Sequence, residues 1–184
     1  MGVLTDYFRA ADAATVVRAL EPGNGGLPPL RTDGSAGGAL EGSVEGSVEG
    51  PGEGSFDGVE SKGVDPTVLL GQLVAAVLDE PWRVGLVAET AVWPTTPEPG
   101  PSGPEDEDDP WATGPWVTEL GDATRDALAG VPDERVPEVV ARWAEAEEWD
   151  GADPSDLLPL AEELIALARR ARAADERLYC WTCL

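Results

Sequence analysis

Arg177-Leu178-Tyr179-Cys180-Trp181-Thr182-Cys183-Leu184 closes the chain, directly behind a long helical pattern that opens at Asp153-Pro154. These two segments decide the fold class. The closing segment is rich in aromatic and semi-apolar residues, holds no Gly or Pro, and reads as a strand. The segment before it places Leu157, Leu160 or Ala161, Leu164, Leu167/Ala168 and Ala171 at helical spacing, which gives an apolar inner face to a helix running to about Ala174. Asp153 offers a side-chain acceptor to the orphan N–H groups of the first turn, and Pro154 sits where a missing N–H costs nothing. Pro159 is where that helix would kink. Arg169, Arg170 and Arg172 suit the negative pole at its far end. A helix that feeds an apolar strand calls for a sheet with helices packed on it.

The same devices recur upstream. Val3-Leu4-Thr5-Asp6-Tyr7-Phe8 reads as a strand, and Asp12 as the N-cap of a helix over roughly 12–21 with Val16, Val17 and Leu20 inward. Order returns at Phe56. Asp65-Pro66 starts a helix that runs to about Leu78 and is apolar on more than one face, which predicts a place at the centre of the fold. One or two strands are expected between Trp82 and Trp93. Ala91-Val92-Trp93-Pro94 and Pro115-Trp116-Val117-Thr118 are near mirror images and read as the arms of an antiparallel pair. Helices follow from Asp122, with Ala123, Ala127 and Leu128, and from Asp133 as cap, with Val136, Val139, Val140 and Trp143 as the apolar stripe.

Hydrophobic residues make up 42% of the 184, enough for a core, yet two stretches cannot contribute to one. Residues 22–55 are Gly-rich and contain the degenerate repeat EGSVEGSVEGPGEGS, and residues 94–110 combine prolines with the acidic run 105–109. Both read as flexible, disordered insertions, because their burial could not offset the entropy of ordering them. The expectation is a single α+β domain over 1–184, with a small antiparallel or mixed sheet that includes the N- and C-terminal strands and is packed by four to five helices.

The charge narrows the function classes. Asp and Glu number 36 against 12 Lys and Arg, a net −24, with no His. Imidazole-based catalysis and His-ligated metals are ruled out. The excess acid argues against direct contact with nucleic-acid phosphates or an anionic membrane. No apolar run approaches a membrane span, and the first residues lack the pattern of a signal peptide, so the expected location is cytoplasmic. The acidity is uneven: residues 111–156 carry −9, whereas 157–184 carry none.

Cys180 and Cys183 form a CxxC, a spacing that serves redox chemistry or zinc. Thioredoxin-type redox needs the first thiol at a helix N-terminus, and here the pair sits in a strand, where residues three apart face opposite ways. Zinc would need two further ligands, which a second copy of the chain could supply. The remaining reading is two small, semi-apolar strand residues. The acidic run 105–109 and Asp150-Gly151-Ala152-Asp153 lack the alternating ligands of a calcium loop. The glycines at 23, 25 and 26 follow a helix rather than a strand, and neither a phosphate-binding loop nor a GxSxG elbow occurs. No catalytic residue, metal ligand or cofactor is assigned beyond the weak pair Cys180 and Cys183.

Seven tryptophans are many for this length. Trp111 and Trp149 stand out, because each adjoins acidic, turn-rich sequence. With Glu145, Glu147, Glu148 and Asp150 they form a candidate interaction surface, against the simpler reading that they pin their loops to the domain. The function expected is non-enzymatic: an acidic protein that binds a basic protein partner, in the manner of immunity proteins, antitoxins or DNA mimics. The alternative is a small enzyme or a ligand- or metal-binding protein that uses carboxylates or the two cysteines.

Met-Gly-Val-Leu-Thr-Asp-Tyr-Phe, the helix with Val16-Val17-Arg18-Ala19-Leu20, and the closing helix and strand together resemble the YfbM-like family of bacterial proteins over 1–21 and 120–184. The preference for Arg over Lys and the Ala, Gly, Val, Asp and Glu richness also resemble Streptomyces-type actinobacterial proteins. Neither resemblance brings an activity or a site residue.

Overall fold

Leu4–Ala10 (β1) and Arg177–Cys183 (β6) lie side by side, antiparallel, with Leu4 opposite Cys183 and Ala10 opposite Arg177. This pair forms the middle of a six-stranded sheet in a computed structural model that describes residues 3–31, 55–104 and 106–184. Beyond β1, Phe56–Glu60 (β3) runs antiparallel to it, and the two-residue strand Leu30–Arg31 (β2) runs parallel to β3. Beyond β6, Trp116–Leu120 (β5) and Glu89–Trp93 (β4) continue the sheet antiparallel, giving the order β2-β3-β1-β6-β5-β4. The sheet is thus mixed, and the fold is α+β.

Strand alternation sorts the core into two halves. Tyr7, Leu178 and Cys180 point to one face. There they meet four helices: Leu69–Leu78 (α2), Asp122–Ala129 (α4), Val136–Trp143 (α5) and Pro154–Ala173 (α6). Phe8, Ala10 and Tyr179 point to the other face, against Val16 and Leu20 of Ala13–Leu20 (α1). Phe8 stacks on Phe56 with ring centroids 4.6 Å apart and on Tyr179 at 5.4 Å. Each fully buried large apolar side chain contributes about 1.5–3 kcal/mol, so the two faces together dominate stability. A further single turn, Pro110–Thr113 (α3), lies in the β4–β5 connection.

Many of the start signals act as expected. Asp12 accepts from the Thr15 N–H at 2.7 Å, and Asp153 accepts from Ser155 at 2.9 Å. The α2 helix is buried on most sides, and all four stripe residues of α5 are buried. Ala91 pairs with Thr118 and Trp93 with Val117, so the mirror-image arms do form an antiparallel pair. Other details differ. Asp65 accepts from Val68 and Leu69 at 2.6 and 3.2 Å, which holds a turn over 66–68 and delays α2 to Leu69. Asp133 caps nothing: it lies in a 3-10 turn and pairs with Arg169 at 2.7 Å. Residues 82–93 supply one strand, because the chain from Trp82 to Ala88 is taken up by a loop.

The two stretches read as flexible fare differently. Residues 32–54 lie outside the described residues. Residues 22–31 of the same stretch carry the end of a 3-10 turn, and then β2. Gly25 sits beneath aromatic cover: its carbonyl accepts the Trp181 indole N–H at 2.9 Å, and a Cβ there would come within 2.4 Å of Trp93 Nε1. The described part of 94–110 is irregular chain with turns at 101–102 and 107–108, ending in the first residue of α3.

Two side-chain clusters fix the helical layer to the sheet. Thr5 and Tyr7 of β1 both donate to the Val64 carbonyl, at 2.9 and 2.7 Å, which ties the entrance of α2 to the central strand. Asp57 of β3 accepts from Arg170 of α6 at 2.7 and 2.8 Å and from Arg9 of β1 at 2.5 Å. Burial would push the Asp57 carboxyl up, but the hydrogen bonds from Arg170 and then Arg9 outweigh it and hold the group below the usual carboxylate range. A carboxyl held down in the folded state adds stability above its unfolded pKa of about 4, and that stability is lost as pH falls through the lower folded value. Asp57→Asn is therefore expected to cost about 2 kcal/mol near neutral pH in urea unfolding. The gap to the parent should narrow below about pH 4; a gap that stays constant down to pH 2 would remove the charge-based account.

Candidate interaction groove between α2 and α5

The C-terminal end of α2 makes a sharp reversal. Asp79 caps the helix in the left-handed region at φ 60°, and Glu80-Pro81 turns the chain back along the outside of α2. Trp82 is thereby laid over the helix at Gly71. Its indole N–H donates to the Thr67 carbonyl at 3.1 Å. A Cβ on Gly71 would stand 2.8 Å from the indole nitrogen, so the ring can lie this close only because residue 71 has no side chain.

Trp82 forms one wall of a groove of about 240 Å³ between α2 and α5. Ala75, Ala76 and Ala146 line it with small side chains, and Glu80 and Glu145 place carboxylates on it. Trp82 remains 39% exposed, with Leu78 and Val84 also exposed nearby in the chain. Gln72, another lining residue, donates to Glu148 at 2.7 Å. Arg142 donates to the Ala76 carbonyl at 3.4 Å and pairs with Asp79. That carbonyl belongs to the last turn of α2, where the helix presents its negative pole. Arg142 thus lines the groove with its own charge turned to Asp79, and the remaining aromatic wall, alanine lining and carboxylates suit a cationic side chain with an aliphatic stem.

The residues nominated from sequence divide between two places. Glu145, Glu147, Glu148 and Asp150 are exposed around the α5–α6 connection, and Glu145 and Glu148 take part in the groove and its rim. Trp149 packs edge-on against buried Trp143, with centroids 4.9 Å apart and planes at 88°, and its indole nitrogen is buried without a hydrogen-bond partner among the described residues. Trp111 lies in the β4–β5 connection instead, where its indole N–H reaches the Thr96 carbonyl at 3.2 Å and hydroxyl at 3.0 Å. Trp149 pins its loop to the core, whereas Trp111 ties together two parts of its own connection. The exposed tryptophan is Trp82, which sequence reasoning passed over. The available signal was Gly71, a lone glycine inside a largely apolar helix, which marks a close approach by another group.

The cysteines face opposite sides of the sheet, as strand alternation dictates, and both are free. Cys180 is buried beneath the helical layer, and burial pushes its thiol up to about 12, against weaker opposing hydrogen bonds from Thr182 and Tyr7. A thiol so raised is a poor nucleophile and metal ligand at neutral pH. Among the described residues, no three His, Cys, Asp or Glu side chains gather as a metal site requires, and no helix is long and apolar enough to cross a membrane. No protein-family model matches the chain, and neither a curated protein nor a solved structure does.

Two outcomes check this geometry. Gly71→Ala gains up to about 1 kcal/mol of helix propensity, yet its methyl must push the Trp82 ring aside. The variant should fold while the Trp82 indole N–H resonance moves away from its hydrogen-bonded position; an unmoved resonance would contradict the seat described. In thiol titration at pH 8, Cys183 should react and Cys180 should react only on unfolding. Rapid labelling of both would show that Cys180 is not sealed by the helical layer.

Proposed function

We propose that the protein acts by binding a basic protein partner on the α2–α5 face. The observation that carries this reading is the exposed Trp82, held in place by Gly71 and Thr67 on a groove that it shares with Glu80, Glu145 and Arg142, with Glu148 reached through Gln72. Interfaces concentrate their binding energy in such aromatic anchors, while surrounding charges govern encounter rate and choice of partner. A net charge of −24 steers cationic proteins toward the molecule over a range set by the ionic strength. This is the physical basis on which immunity proteins, antitoxins and DNA mimics occupy basic partners, and we place the protein with them in mode of action, working in the cytoplasm.

The test is affinity capture from the source cell with the full-length chain as bait. A basic protein should be retained at low salt and released as salt rises. Trp82→Ala should weaken its retention by tenfold or more, the loss of about 2 kcal/mol typical of a hot spot. Retention that ignores both salt and Trp82→Ala, or the absence of any basic protein among those captured, would overturn the reading.

A further inference from the structure

Resting on the reading of a basic partner, we infer that the α2–α5 groove receives one arginine side chain of that partner, stacked on Trp82 with its guanidinium between Glu80 and Glu145. The groove's size sets the scale. At about 240 Å³, bounded by Trp82 on one side and by Ala75, Ala76 and Ala146, it is the scale of a single long side chain rather than of a helix or strand. Ala75, Ala76 and Ala146 accept an aliphatic stem, because none projects beyond its Cβ.

The charge pattern then selects the head group. Among the described residues neither Glu80 nor Glu145 has a salt-bridge partner. Both line the groove, where an incoming cation would find a counter-charge from either. The chain's own Arg142 shows which cation this end of α2 accommodates: its guanidinium is held by the Ala76 carbonyl and the Asp79 carboxylate at once. Arg142 itself lines the groove, but among the described residues its salt bridge goes to Asp79 rather than to Glu80 or Glu145. A planar guanidinium can stack on an indole face and divide its N–H groups between two carboxylates, which the compact ammonium of lysine does less well.

The experiment uses the full-length, ¹⁵N-labelled chain at low salt. The probes are three acetylated, amidated pentapeptides, Gly-Gly-X-Gly-Gly, with X as arginine, lysine or the neutral isostere citrulline. The arginine peptide should shift the Trp82 indole N–H resonance saturably and bind about threefold or more tighter than the lysine peptide; citrulline should leave the resonance in place. The double variant Glu80→Gln/Glu145→Gln should weaken arginine binding about tenfold. A control with the same charge change on and beside the start of α5, Glu134→Gln/Glu138→Gln, should weaken it no more than about twofold. Equal binding of arginine and lysine with equal loss in both double variants would overturn the arginine anchor, and leave the broader reading of a basic partner standing. Failure of both cationic peptides to move any resonance would overturn the anchor, while salt-released capture by the full-length bait decides the broader reading separately.

Discussion

The pairing of β1 with β6 is the constraint on which the rest of the structure depends. The two ends of the chain meet in the middle of the sheet, over seven residues in continuous register. Every other strand attaches to one side or the other of this pair. The pair also sets both core faces. Tyr7 and Cys180, opposite each other, look toward the helices, and Phe8 and Tyr179 look toward α1. Contacts between positions so far apart in sequence carry a large loop-closure cost, so the sheet's centre forms only together with much of the remaining core. The helical layer, and with it the α2–α5 groove, is carried on this base through Val64 and through the Asp57–Arg170 pair.

The distribution of cations explains how so acidic a chain presents a coherent surface. Several of its few arginines are engaged internally. Arg172 donates to the Ala129 carbonyl, Arg169 to that of Val131, and Arg125 to that of Glu176, at 3.0, 2.5 and 2.9 Å. Ala129 ends α4, so the first of these closes an orphan carbonyl at a helix terminus. Arg9 and Arg170 converge on Asp57. These positive charges hold elements together, whereas most acids of the α5–α6 connection face outward without a salt-bridge partner among the described residues. The net −24 is in this sense the residue of a structural division of labour.

Much of this architecture is legible in the sequence, for local reasons. Asp12 and Asp153-Pro154 announce helix starts through their own backbone chemistry, Asp65-Pro66 the turn that leads into one, and the stripe of α5 follows from its 3.6-residue period. The terminal strands and the opposed cysteines follow from alternation. What escapes reading depends on distant partners. Phe56-Asp57-Gly58-Val59-Glu60 has two residues that strands disfavour, yet it is β3. Asp57 is there for the arginines of β1 and α6. Gly58 is there because a Cβ would come within 2.6 Å of the Tyr7 carbonyl oxygen. Trp82 escaped for the same reason, since its exposure depends on where the chain turns after Asp79, whereas Trp149 and Trp111 looked exposed in sequence and are tied down by Trp143 and Thr96.

Native-state hydrogen exchange of the full-length chain tests the dependence on the paired ends most directly. The interior amides of β1 and β6, around Tyr7 and Cys180, should be the slowest in the molecule and should exchange only through global unfolding, with α2 and α5 opening at equal or lower free energy. Amides of α2 or α5 that outlast those of the two terminal strands would show that the helical layer stands without them, and would contradict the account.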